Sequence, residues 1–171
     1  TRKGARRLKK KINLDSPLVI PSLESGNWLN LGALSLCLLP ASPKLSASFS
    51  GLIIRHSDEI IAYFPHGYVL TEKQKDILIS YKTVLLITSF SSFKLPFYLG
   101  GYVNPGLENA QTMIDFLNPQ YILATHDEDK CSEGIVKKIA KVSYPTETEL
   151  KELHSVSFIN IDLGTTVELK S

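Results

Sequence analysis

The sequence predicts a single α+β domain, an open mixed sheet with helices packed on one face. Three observations predict it. The first third of the chain is hairpin-rich, with short apolar runs broken by turn residues. From Thr71 onward, strand-like runs alternate with amphipathic helical segments, and the chain closes on a further strand pair after Ser157. Its 171 residues suffice for one well-buried core and are too few for two ordinary domains.

Taken in order, Gly4–Ile12 reads as a short basic helix that Asn13–Asp15 ends. Leu18–Ser22, bracketed by Pro17 and Pro21, suits a sheet edge. Leu29–Leu39 reads as one strand closed by Pro40, and Pro40–Ser48 as a small-residue loop. Gly51–His56 and Glu59–Phe64 flank Ser57-Asp58, and their β-branched residues make this the clearest hairpin in the chain. Pro65-His66-Gly67 ends its second strand.

Thr71 caps a helix expected over Thr71–Tyr81. The continuous apolar run in Thr83–Ser89 predicts a strand covered on both faces. Ser91–Gly101 reads as an aromatic-rich loop, in which Phe93, Phe97, Tyr98 and Tyr102 form a binding patch if exposed together. Asn104-Pro105-Gly106 opens a helix that runs to Leu117, with Ala110, Met113, Ile114 and Leu117 spaced at three and four. Tyr121–Thr125 is the next strand, and His126–Lys130 a polar turn. Helices are expected over Ser132–Lys141 and Thr146–His154, then strands over Ser157–Asp162 and Thr166–Leu169 about the turn Gly164-Thr165.

Composition narrows the function. The chain is 43% hydrophobic and 21% charged, the balance of an ordinary globular domain. No apolar run approaches the roughly 18 residues that a membrane span needs. Seven of its nineteen basic residues fall within residues 2–11, which leaves twelve bases against seventeen acids in the rest. That basic segment, residues 1–12, is set apart from the domain, residues 13–171. It suits contact with nucleic acid or anionic lipid, or merely a solvated arm; no aromatic residue interleaves with it to stack on bases. Cys37 and Cys131 form no CxxC pair, which argues against a disulfide framework or a zinc ribbon and fits a reducing intracellular compartment.

The residues at the joints of this pattern carry a resemblance. Gly51–Gly67, with its Tyr63-Phe-Pro-His66 ending, resembles the hairpin of the metallo-β-lactamase superfamily that ends at a metal-bridging acid. Asn104–Ala110, continuing through Leu117-Asn-Pro-Gln-Tyr-Ile-Leu-Ala-Thr-His126, is similar to that family's later helix and strand, which end in a metal-binding histidine. Asp162–Leu169 looks like its finishing strands. The likeness spans roughly Leu18 to Leu169 and implies the C-terminal half of an αββα sandwich. The Tyr-x-Pro-His ending is similar to a cyanobacterial and plant branch, which points to a plastid or a bacterial cytosol.

The departures limit the chemistry. Active members carry HxHxDH in their first half; this chain has no such run and no histidine before His56. The resemblance implies His66 and His126 as vestigial or partial metal ligands, and Asp127 joins them because His126-Asp127-Glu128-Asp129 offers an imidazole and three carboxylates that a divalent ion could use. A catalytic zinc needs about three protein ligands and an open position. A turn-capping histidine at His66 and a solvated acidic turn at His126–Asp129 are the plainer alternatives. Ser89-Phe-Ser-Ser92 lacks the setting of a serine nucleophile.

The expectation is therefore a degenerate member that is non-catalytic as this chain, needs no cofactor, and acts as a complex subunit. A protein partner or a second copy would cover its exposed sheet face. The alternatives are a hydrolase using zinc or another divalent metal whose HxHxDH-bearing first half is absent from this chain, and a nucleic-acid-associated protein acting through residues 2–11.

Overall fold

The computed structural model describes residues 19–40, 50–99, 101–125, 127, 138–153, 157–159 and 166–169. The basic segment, His126, Cys131, His154, most of the helix expected over 132–141 and the turn at 164–165 lie outside the described residues. Strands β1 (Leu29–Leu31), β2 (Leu34–Leu39), β3 (Gly51–His56) and β4 (Glu59–Phe64) precede helix α1 (Glu72–Leu78) and strand β5 (Lys82–Thr88). Then come β6 (Ser92–Lys94), β7 (Tyr102–Pro105), helix α2 (Leu107–Leu117) and β8 (Tyr121–Ala124). Strand β9 (Lys141–Ser143), helix α3 (Glu147–Lys151) and β10 (Ser157–Phe158) complete the described elements.

Among the described residues, seven strands form one sheet in the order β1-β2-β3-β4-β5-β8-β10. Neighbours from β1 to β4 run antiparallel, and β4, β5, β8 and β10 run parallel. This is the mixed sheet that the hairpin-then-alternation pattern implies, because parallel neighbours need crossovers and here α1 and α2 lie in them.

Helix α1 starts where the sequence places its cap. Thr71 Oγ1 accepts from the Gln74 amide at 3.3 Å, and Gln74 Oε1 accepts from the Thr71 amide at 3.0 Å. It ends at Leu78, three residues short of the expected Tyr81. Helix α2 buries Ala110, Met113, Ile114 and Leu117 and stops at Asn118, whose φ of 41° is left-handed. Thr146 caps α3 through the same box with Glu149, and those hydrogen bonds hold the Glu149 carboxyl below its usual pKa.

The helices cover one face of the sheet. Cys37, Ile53, Ala62, Phe64, Leu86 and Ile122 point into that core, together with Leu78 and Met113. Alternate residues face the other way. Leu36 and Leu38 on β2, Leu52 and Ile54 on β3, Ile61 and Tyr63 on β4, Ile87 on β5 and Leu123 on β8 are in register across the sheet and half-buried.

Tyr68 fastens the segment after β4. Its phenol donates to the Pro40 carbonyl and accepts from Gln74 Nε2 at 3.2 Å, and Gln74 also donates to Glu24 Oε1 at 2.9 Å. Burial pushes the phenol pKa up, which keeps it a donor. Asn109 of α2 grips the Tyr68 backbone on both sides, accepting from its amide at 3.1 Å and donating to its carbonyl at 2.9 Å. Gly67 beside it has a φ of +69°, and a Cβ there would stand 2.6 Å from Asn109 Oδ1 and 2.8 Å from Pro105 Cγ. Only glycine fits both the backbone and the space.

Six expectations are corrected. Leu29–Leu39 is two strands, not one, because Gly32 (φ +63°) and Ala33 turn the chain into a tight β1–β2 hairpin. Ser91–Gly101 is not merely a loop: it contains β6, which pairs with β7 and β9 in a second, three-stranded sheet. Asn104-Pro105 closes β7 rather than opening the helix, and Lys141 begins β9 rather than ending a helix. Thr166–Leu169 has no regular structure, and Leu18–Ser22 contributes an isolated Ser22–Leu38 bridge rather than a strand.

Candidate functional site

Because β4, β5 and β8 are parallel neighbours, their carboxyl ends lie side by side, the end at which open parallel sheets place their ligands. Each strand ends in polar residues: Pro65-His66-Gly67, Ser89-Phe90-Ser91, and Thr125 followed by His126-Asp127. Two bonds tie the ends together. Thr88 Oγ1 donates to the Phe64 carbonyl at 3.1 Å, and the Thr125 amide donates to the Thr88 carbonyl at 3.0 Å.

Asp127 sits in the mouth of the 89–91 turn. Its carboxylate accepts from the Phe90 amide at 2.9 Å, the Ser91 amide at 2.6 Å and Ser89 Oγ at 2.8 Å. Successive backbone amides curled around an anion form a nest, and here the anion is the protein's own side chain. Ser89, Ser91 and Asn104 are all buried. Asn104 Nδ2 donates to Ser89 Oγ at 3.2 Å, and Asn104 Oδ1 lies 2.9 Å from His66 Nδ1. Ser89 Oγ is also 3.0 Å from Ser91 Oγ.

Donor and acceptor chemistry orients this chain. A carboxylate only accepts, so Ser89 sends its single hydroxyl proton to Asp127. Ser89 then accepts from the Asn104 amide nitrogen, which turns the Asn104 carbonyl oxygen toward His66. That oxygen cannot donate, so His66 directs an Nδ1–H at it. A carboxylate just beyond the end of β8 thus orients, through Ser89 and Asn104, the Nδ1 side of a histidine at the end of β4.

Of the three residues singled out from the sequence, His66 and Asp127 meet in one network, through Asn104 and Ser89 rather than directly. His126 lies outside the described residues. Asn104, Ser89 and Ser91 were not foreseen as partners. Their signal was position: Ser89 directly follows the apolar parallel strand β5. The Asn104 signal was masked by Pro105-Gly106, which read as a helix start. The described residues do not by themselves fit a catalytic metal. No group of three or more His, Cys, Asp or Glu that could hold an ion occurs among them, and Asp127 already accepts from three donors.

No family model matches this sequence, and no curated protein matches it. Solved structures do resemble its fold. Igni18, a metallo hydrolase from the archaeon Ignicoccus hospitalis, superposes at a TM-score of 0.59 and 15% identity, over 95% of this chain and 64% of its own. The isothiocyanate hydrolase from Delia radicum gut bacteria gives 0.57 at 15% identity, over 92% and 62%. The metallo-β-lactamase fold protein YhfI from Bacillus subtilis gives 0.52 at 14% identity, over 92% and 58%. The chain therefore has the metallo-β-lactamase fold and spans roughly three fifths of each of these structures.

Proposed function

We propose that this metallo-β-lactamase-fold chain acts as a non-catalytic interaction module, whose half-buried sheet face packs against a second β-layer supplied by a protein partner or another copy. The observation that carries this reading is the row Leu38–Leu52–Tyr63–Ile87–Leu123, with Leu36, Ile54 and Ile61 beside it. Every member is apolar or aromatic, and all are half-buried, while Cys37, Ile53, Ala62, Phe64, Leu86 and Ile122 between them are buried. A contiguous apolar surface of this kind marks an interface in a folded protein, and sheets pack face to face at about 10 Å through such residues. The polar residues at the strand ends support the same reading, since they hold one another.

Sedimentation velocity tests it. A dimer or larger species that Ile54→Lys with Ile61→Lys converts to a folded monomer supports the module. A wild-type monomer whose stability and size ignore the same pair sinks it.

A second reading is a metal-dependent hydrolase completed by ligands from elsewhere, and His66 is the observation favouring it. Its Nδ1–H is held by a carbonyl oxygen, the arrangement that orients a metal-binding imidazole. Elemental mass spectrometry on the purified chain, with His66→Ala and His126→Ala beside it, separates the two. Stoichiometric zinc, manganese or iron lost in both variants would replace the module with the hydrolase.

A further inference from the structure

The three-stranded sheet carries a run of three exposed apolar residues. Phe97, Tyr98 and Leu99 are consecutive on one helical turn between β6 and β7, with 90%, 71% and 49% of their surface open. The turn is braced at its base. Leu95 N donates to the Gly101 carbonyl at 2.8 Å, and Leu99 N and Gly101 N both donate to the Pro96 carbonyl, at 2.9 and 3.3 Å. The fold thus holds three large apolar side chains outward on a short, closed loop. Water exposure of such groups is unfavourable by roughly 25 cal/mol for each Å², and nothing in their backbone requires these residue types.

The charge around the tip is equally uneven. Residues 92–105 and 138–144 contain Lys94, Lys138 and Lys141 and no acid, although acids outnumber bases in the chain beyond residue 11. Lys94 and Lys141 are directly opposite each other on β6 and β9, a like-charge pairing that disfavours the sheet in water. Lys94 lies 4.5 Å over the Tyr102 ring, so its stem runs along that aromatic surface.

We propose that the Phe97-Tyr98-Leu99 tip inserts into the interface of an anionic phospholipid bilayer, with Lys94 and Lys141 meeting the headgroup phosphates. A convex apolar point above a cationic collar matches a bilayer, whose apolar layer lies beneath its anionic one. Headgroup charge also relieves the Lys94–Lys141 repulsion. Nucleic acid fits less well. The Phe97 and Tyr98 rings stand at 85° to each other, so they offer no parallel faces for successive bases.

Vesicle cosedimentation of the full chain tests this. Wild type is expected to partition about tenfold more onto phosphatidylcholine vesicles containing phosphatidylglycerol than onto phosphatidylcholine alone, less so in high salt. Phe97→Ser with Leu99→Ser is expected to lower that partition about tenfold while leaving thermal stability unchanged, because both side chains are exposed. A Phe97→Trp variant is expected to blue-shift on anionic vesicles, where the parent's Trp28 emission stays fixed. Failure of wild type to partition onto either vesicle would overturn the proposal. So would undiminished partition of the double variant, which would transfer the attraction to residues 2–11 or to the open sheet face. Binding of a single-stranded RNA that the double substitution abolishes, without vesicle binding, would assign the tip to nucleic acid instead.

Discussion

The two faces of the main sheet are built from the same strands and nearly the same amino acids, yet they end in different environments. On β3 and β4, Ile53, Ile60, Ala62 and Phe64 are sealed under the helices, while Leu52, Ile54, Ile61 and Tyr63 alternate with them and stay half-open. Residue type does not separate the two sets. What separates them is which face the crossovers of the parallel strands place helices on. Hydrophobic patterning can announce that a strand has two apolar faces, as it does here. It cannot say whether the same chain covers both.

The largest expected effect comes from cutting into the covered face. Phe64→Ala removes a fully buried ring stacked 5.1 Å from Tyr68 and is expected to cost about 3–5 kcal/mol in urea unfolding. Ile61→Ala on the open face is expected to cost less than about half of that in the isolated chain. If the two losses are equal, the faces are equally packed and the comparison fails. A loss at Ile61 that grows when a partner is added would sharpen it.

Next in size is the edge where the two faces end. Asp127→Ala leaves two amides and the Ser89 hydroxyl without their acceptor, with an expected loss of about 2–4 kcal/mol. Its signature is chemical as well as energetic. With Asp127 gone, Ser89 and Asn104 are free to reorient, so the nitrogen chemical shifts of the His66 ring are expected to show both tautomers. Unchanged shifts would break the relay. Smaller again is Thr71→Ala, which removes the α1 cap and is expected to lower stability by about 1 kcal/mol. The same change at Thr146 caps a helix with no buried residue and is expected to register less.

The last effect belongs to Cys37, and its pH dependence is confined to alkali. Burial pushes this thiol from 9.0 up to about 12, with Arg55 opposing. The folded state therefore keeps a proton that the unfolded state gives up near pH 9. Stability from this group is complete below pH 9 and is lost as pH rises from there toward about 12. Urea midpoints of wild type and Cys37→Ala are expected to run parallel up to pH 9 and converge above it.

The sequence made the β3–β4 hairpin legible because its turn, Ser57-Asp58, stands between two β-branched runs that pair residue for residue. Strand β5 was legible for the opposite reason, as an apolar run without alternation. The second sheet was not, since strands of three or four residues carry too little period to be seen and β6 finds its partners about ten and nearly fifty residues away. At the site, His66 could be placed because a strand visibly ends there. The carboxylate could be named but not its work: its donors come from a turn 36 to 38 positions earlier, and neither sequence distance nor residue type hints at that nest.

The Asn109 grip on Tyr68 has a consequence for how the molecule opens. One side chain satisfies both backbone groups of a residue 41 positions earlier, much as a neighbouring strand would. The loop beyond His66 is thereby anchored to α2, and the packing of Gly67 against Pro105 adds β7 to the same assembly. In native-state hydrogen exchange, the Tyr68 amide, the first turn of α2 and the amides of β7 are then expected to open as one cooperative unit, with one free energy and one denaturant slope.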